Sequence, residues 1–138
     1  MYCSSKEREF DTSFLGNPVA GWQVKGNGKP KYIRIEWLDE ISSQQKVTFS
    51  GGFFMRGKTA NHLKESSSQS LQPFFLEKGR SNFFSYFNLM TNSKSALVPP
   101  GNALWSYRHY ESIYAGAIPV SVNFKDTRML IPLPIDGM

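Results

Sequence analysis

Apolar and polar positions alternate along this chain in short runs, with two segments where the period changes from that of a strand to that of a helix. Asp11-Thr12-Ser13-Phe14-Leu15-Gly16-Asn17 predicts a first strand with a Gly-Asn exit turn. Pro18 to Lys31 is rich in Gly, Lys and Pro and predicts a loop. Its Gly26-Asn27-Gly28 is not followed by the pattern of a dinucleotide fingerprint. From Tyr32 to Ser42, Ile33, Trp37 and Ile41 fall at i, i+4 and i+8 with Leu38 alongside. That spacing predicts an amphipathic helix with Arg34, Glu36, Asp39 and Glu40 on its solvent side. Lys46 to Ser50 predicts a second strand, ended by Gly51-Gly52. Phe53 to Gln72 carries little pattern, and its serine-rich KESSSQSLQ stretch reads as an exposed loop. Phe74 to Asn92 is strongly aromatic, with Phe83, Tyr86, Phe87 and Met90 at helical spacing, and predicts a helix buried against a sheet.

The stretch from Ser93 to Val122 organises the rest. Ser95-Ala96-Leu97-Val98 has the apolar character of a strand buried on both faces. Pro99-Pro100-Gly101-Asn102 cannot continue it, because prolines remove ladder donors and Gly101 permits a turn. Asn102 is the predicted N-cap of a helix over Leu104 to Tyr114. Tyr107, Tyr110, Ile113, Tyr114 and Ala117 form its expected core stripe. Gly116 ends it, and Ile118 to Val122 returns as a strand. Such a unit sets a helix start at the carboxyl end of a strand, where anionic ligands bind in open α/β sheets. The expected organisation is a frayed N-terminus over 1–10 and one α/β domain over 11–138.

Arg108 and Glu111, three apart, project together from that helix. An Arg there can fork onto a phosphate, and a Glu can accept hydrogen bonds from ribose hydroxyls. The same pair also fits an ordinary solvated helix face. Gly16 either admits a ligand close to the backbone or serves only its turn. His62 has no nucleophile beside it, and His109 points about 100° away from Arg108. The aromatics of 74–92 with Lys78 and Arg80 resemble a single-strand nucleic-acid platform, but helical packing explains them more simply.

Composition narrows the choice. At 138 residues, 40% hydrophobic and 14% aromatic, the chain can bury one real core. No window approaches the roughly 18 apolar residues of a membrane span, and no signal-peptide apolar region opens the chain. A single cysteine, Cys3, excludes an internal disulfide framework and a cysteine-based zinc site. The net charge of +5 suits a phosphorylated ligand, although it is spread along the chain.

LVPPGNALWSYRHYESIYAGAIPV resembles the donor-half signature of exostosin-like, family 47 glycosyltransferases of the GT-B type. The matching residues are Pro99, Gly101, Arg108, Glu111, Gly116, Ile118, Pro119 and Val120, with Ser93-Lys94 and the Phe83-Phe84-Ser85-Tyr86-Phe87 helix upstream. Fucosyltransferases share a similar Glu-helix and Gly-x-(Ile/Val)-Pro-Val strand. The resemblance runs from about Asp11 onward. It implies a Rossmann-like open parallel sheet with flanking helices, the C-terminal lobe of a GT-B fold, here lacking its closing helices and the acceptor-binding half.

What the resemblance implies about chemistry follows. A UDP- or GDP-linked sugar would be substrate, with no further cofactor and no metal, since no Asp-x-Asp site is present. Gly16, Pro100, Gly101, Asn102, Ser106, Tyr107, Arg108 and Glu111 would bind it, with the diphosphate at the 101–106 turn. Arg108 would neutralise the departing nucleotide diphosphate, and Glu111 would orient ribose or sugar. Arg34 is the natural candidate for an Arg the family carries in the helix after the first strand. The acceptor would be a glycan or glycoprotein hydroxyl, with the general base supplied by the acceptor half or a separate lobe or chain. No nucleic acid and no membrane span are expected. The compartment would be the Golgi or ER lumen for a eukaryotic member and the cytoplasm otherwise. A non-catalytic remnant that keeps fold and nucleotide affinity, and an anion- or nucleic-acid-binding module, are the alternative readings.

Overall fold

Phe14 and Leu15 lie in a strand flanked on both sides, and the rest of the sheet is laid out from it. A computed structural model describes residues 7–20, 23–24, 27–77, 81–101 and 106–122. In chain order the elements are β1 (Phe10–Gly16), β2 (Gln23–Val24), β3 (Pro30–Lys31), α1 (Ile33–Ser43), β4 (Phe49–Phe54) and α2 (Gly57–Ser66). Then come β5 (Phe75–Leu76), α3 (Phe83–Thr91), β6 (Ser93–Val98), α4 (Arg108–Tyr114) and β7 (Ile118–Ser121). Five strands form an all-parallel sheet in the order β5-β4-β1-β6-β7, while β2 and β3 make a small antiparallel pair. The chain leaves β1 toward one edge and then crosses back to fill the other. The strand order therefore reverses between β1 and β6, which is the switch point of a Rossmann-like α/β fold.

Ala96 and Leu97 are consecutive on β6 and so face opposite sides of the sheet. Leu97 joins Phe14, Leu38, Phe53, Leu71 and Phe75 in one core cluster, which α1 covers through Leu38. Ala96 joins Met90, Ala115 and Ala117 in a second, which α3 and α4 cover. Phe53 is fully buried, with its ring centroid 5.8 Å from that of Phe14 and 5.1 Å from that of Phe75. Each such ring contributes about 1.5–3 kcal/mol by burial.

Several expectations give way here. The second strand does not stop at Gly51-Gly52 but starts at Phe49 and runs through both glycines. They have φ of +107° and +150°, and a Cβ on Gly51 would lie 1.9 Å from the Phe14 carbonyl oxygen. The backbones are thus too close for any side chain. The patternless stretch after it contains α2, whose one buried residue is Ala60; Leu63 is its only large apolar residue, so few apolar positions mark it. Of the aromatic run, Phe74 closes a 3-10 turn and Phe75 enters β5, so the helix begins only at Phe83, capped by the Asn82 side chain accepting from Ser85 N. Phe83 and Phe84 are exposed, and Tyr86, Phe87 and Met90 do the packing.

The helix expected over Leu104 to Tyr114 is α4, one turn shorter at its start. Tyr107, not Asn102, stands at its N-cap; Asn102 and residues 103–105 lie outside the described residues, as do Lys78 and Arg80. Its core side is not the tyrosine stripe, since Tyr107 and Tyr114 are 76% and 80% exposed. Ala117 of that stripe is buried as expected, joined by His109, Ser112 and Ala115, and the small side chains among them let this short helix lie close to β6 and β7.

Residues 1–6 of the expected frayed N-terminus also lie outside the described residues, but Arg8 is firmly held. Its Nη1 donates to the carbonyls of Met90, Thr91 and Ser93 at 3.3, 3.0 and 2.9 Å, and its Nη2 to that of Ala115 at 3.1 Å. One cation therefore satisfies the ends of both α3 and α4, where the helix dipoles favour it. Gly116 (φ +73°) makes room, since a Cβ there would lie 2.6 Å from Arg8 Nη2.

Candidate active site at the β1–β6 switch point

The carboxyl ends of β1 and β6 meet where a ligand crevice is expected in this topology. β1 exits through Gly16, Asn17 and a fully buried Pro18, with Val19 N donating to Asn17 Oδ1 at 2.9 Å to fix the turn. β6 exits through buried Pro99 and Pro100. Arg34 ties the two exits together. Its Nη1 donates to the Asn17 carbonyl at 2.9 Å and its Nε to the Pro100 carbonyl at 3.3 Å. Placed on the solvent side by helical spacing, Arg34 is in fact only 8% exposed. Arg34 stands in the first turn of α1, and these two bonds set that turn beside the strand exits.

Arg108, at the first position of α4, reaches the same strand exits. Its guanidinium carbon lies 4.9 Å from the Phe14 ring centre and 5.4 Å from that of Tyr86. Arg34 approaches the Phe14 ring as well, at 5.7 Å. Two glycines leave the space for these groups. A Cβ on Gly16 would sit 3.1 Å from Arg108 Nη2, and one on Gly101 would sit 3.4 Å from Arg34 Nη2.

Two guanidinium groups thus share one aromatic ring, and neither has a carboxylate partner among the described residues. Arg108 Nη1 is buried without any hydrogen-bond partner there. Burial, reinforced by the nearby Arg108, brings the pKa of Arg34 down to about 10, so it stays charged at neutral pH. A buried Arg34 beside a half-buried Arg108, with no carboxylate between them, costs stability. In a crevice at a switch point, it is also an arrangement that an anion with several oxygens relieves.

Glu111 does not pair with Arg108. Its Oε2 accepts from the Tyr86 hydroxyl at 2.9 Å. Burial first, and then the Glu111 carboxylate, push the Tyr86 phenol well above its ordinary pKa, so it remains a donor. His109 faces away from Arg108, as its spacing predicts, into a buried position. Its Nε2 is 2.9 Å from Ser121 Oγ and its Nδ1 is 3.0 Å from the Ser106 carbonyl. Burial lowers its pKa.

Of the residues singled out from sequence, Gly16, Pro100, Gly101 and Arg108 come together around this crevice, and Glu111 joins them through Tyr86. Ser106 is engaged with His109, Tyr107 stands at the N-cap position of α4, and Asn102 lies outside the described residues. Sequence pattern does not single out Phe14 or Tyr86 as site residues. Tyr86 carries the one hydroxyl among the aromatics of 83–87, and that is the only hint the sequence offers. His62 is exposed on α2, far in sequence from any partner. Among the described residues, no group of three or more His, Cys, Asp or Glu side chains is gathered to hold a metal ion. No helix of the described residues is long and apolar enough to cross a membrane.

Comparison with known proteins gives one family. The Exostosin GT47 domain matches the chain over residues 2–132, nearly its whole length. No curated protein and no solved structure matches it.

Proposed function

The chain belongs to the exostosin GT47 family of glycosyltransferases, and on that premise we propose that its switch-point crevice holds the diphosphate of a nucleotide-sugar donor. The observation that carries the reading is the pair of guanidinium groups, Arg34 and Arg108, converging on Phe14 with no carboxylate partner among the described residues.

In the transfer, a hydroxyl oxygen of a glycan or glycoprotein acceptor bonds to the anomeric carbon. The bond from that carbon to the diphosphate oxygen breaks, and its electron pair leaves with the nucleotide diphosphate. Negative charge therefore grows on the leaving oxygen as the reaction proceeds. Fixed cations stabilise that growing charge more than the ground state, and such preorganised charges supply most of the acceleration in reactions of this kind. Arg108 takes the role of neutralising the leaving group, and Arg34 holds the walls of the crevice while adding its field. Glu111 keeps one carboxylate oxygen for a ribose or sugar hydroxyl while Tyr86 occupies the other. Gly16 and Gly101 let the ligand approach the backbone, with Pro100, Ser106 and Tyr107 flanking it. The acceptor proton goes to a base that the family resemblance assigns to an acceptor-binding lobe.

Calorimetric titration of the purified chain with UDP, GDP and their sugar conjugates tests this, with Arg108→Ala as the control. Binding of a nucleoside diphosphate that Arg108→Ala weakens at least about tenfold, while the bare nucleoside binds both proteins alike, is the expected result. A well-folded chain that binds none of these ligands would overturn the reading and leave a fold retained without donor binding.

A further inference from the structure

We propose that Tyr86 is a positioning residue that keeps Arg108 open for phosphate by holding Glu111 away from it. This rests on the reading of the crevice as a diphosphate site.

Arg108 and Glu111 are three apart on one short helix, a spacing at which opposite charges ordinarily pair. Here they do not. The Glu111 carboxylate is instead bound by the Tyr86 hydroxyl at 2.9 Å, and among the described residues Arg108 has no carboxylate partner. The same Tyr86 presents its ring to the guanidinium at 5.4 Å, and Phe14 presents its own at 4.9 Å. One side chain therefore does two things to one pair. Its hydroxyl removes the competitor from Arg108, and its ring gives the cation a surface that leaves its in-plane donors available. A Phe at this position keeps the ring and loses only the diversion.

Three observations fit together on this account. Arg108 Nη1 is buried and unpartnered, an arrangement that an intramolecular ion pair would have removed. The Tyr86 phenol is held protonated by its burial, so the diversion does not switch off at neutral pH. Tyr86 stands on α3, which packs on the α4 side of the sheet, so α3 sets the charge state of a site formed by the exits of β1 and β6. The consequence for an anion is direct. In the native arrangement phosphate competes with water for Arg108; without the Tyr86 hydroxyl it competes with a carboxylate three residues away.

The test is a double-mutant cycle on the full chain, with inorganic pyrophosphate as the probe and calorimetry as the readout. Tyr86→Phe is expected to weaken pyrophosphate binding about tenfold, the range for a charge-assisted bond gained by the competitor. In a Glu111→Gln background, the same Tyr86→Phe change is expected to alter binding less than about twofold, because the neutral amide no longer pairs with Arg108. A merely structural tyrosine would cost the same in both backgrounds, and equal losses, or no loss in either, overturn the proposal. A crystal structure of Tyr86→Phe supplies the second readout. An ion pair between Glu111 and Arg108 supports the diversion, and a Glu111 carboxylate still turned away refutes it. If the unmutated chain binds no pyrophosphate, the diphosphate reading fails, and that structure still decides whether Tyr86 separates the pair.

Discussion

Arg34 and Pro100 stand 66 positions apart in the chain, and a hydrogen bond of 3.3 Å joins the guanidinium of one to the carbonyl of the other. With the second bond to Asn17, this makes Arg34 a brace across the crevice, whereas Arg108, over the same ring, braces nothing. The two arginines should therefore respond oppositely to removal. Arg34→Met strands two carbonyls and should cost about 2–4 kcal/mol of stability. Arg108→Met removes an unpaired buried donor and a like-charge neighbour, and should leave stability within about 1 kcal/mol of wild type while abolishing diphosphate affinity. Urea denaturation alongside calorimetry separates the two; a large loss of stability from Arg108→Met would mean that the arginine is structural.

Gly16 meets the Arg108 guanidinium at the exit of β1. A methyl group there would lie 3.0 Å from Phe14 Cζ and 3.1 Å from Arg108 Nη2. The ring and the flexible guanidinium can each give by a few tenths of an ångström, so Gly16→Ala should cost no more than about 1 kcal/mol. Its effect belongs on binding, where a displaced guanidinium lowers affinity for pyrophosphate several-fold. Affinity unchanged from wild type would show that the glycine serves only its turn.

Gly51→Ala is the opposite case. Its Cβ would be driven to 1.9 Å from the Phe14 carbonyl oxygen, and its φ of +107° is one that L side chains rarely adopt. Both faults lie in backbone that cannot move without parting β4 from β1. The variant should lose more than about 3 kcal/mol and fail to give a cooperative thermal transition. A melting temperature within a few degrees of wild type would contradict this path for β4 beside β1.

Acid should weaken the fold through His109. Burial holds its imidazole below the ordinary value of 6.5, so the unfolded chain takes up a proton that the folded one resists. The stability associated with the neutral ring is complete above that ordinary value and declines as pH falls below it. His109→Gln removes the titration, so the gap in unfolding free energy between wild type and variant should narrow or reverse from about pH 8 to pH 5. Parallel stability curves for the two proteins would refute it.

The parts of this fold that could be read from sequence are those with a local cause. β1 and its exit turn, α1, and the strand-turn-helix-strand unit around Pro99-Pro100-Gly101 all show themselves through periodicity and turn chemistry. What could not be read depends on partners distant in the chain. Helical spacing assigns Arg34 to solvent because it cannot register Asn17 and Pro100 as acceptors waiting in a crevice. Gly51-Gly52 looks like the end of a strand, because a glycine needed for close backbone approach and one needed for a turn are the same letter. The tyrosines of α4 look like a core stripe because they share a helical spacing with Ala117, yet of that stripe only Ala117 is fully buried, and the segment packs through it with Ser112 and Ala115 to come close to the sheet. Tyr86 is legible as part of a packed helix and not as part of the site, since its role is set by where Glu111 lies.

β1 pairs with β4 on one side and β6 on the other, its Thr12 opposite both Phe49 and Ser95. The strand at the middle of the sheet is thus the earliest of the five to leave the ribosome, and it must wait for partners that are made much later. Until β6 emerges, Phe14 and Leu15 have an open hydrogen-bonding edge beside them, and the crevice that would gather Arg34 and Arg108 does not exist. Vectorial synthesis therefore leaves the site unformed until α4 has followed β6 out. A pause or truncation before Ser93 leaves a sticky half-sheet rather than a weak binding protein.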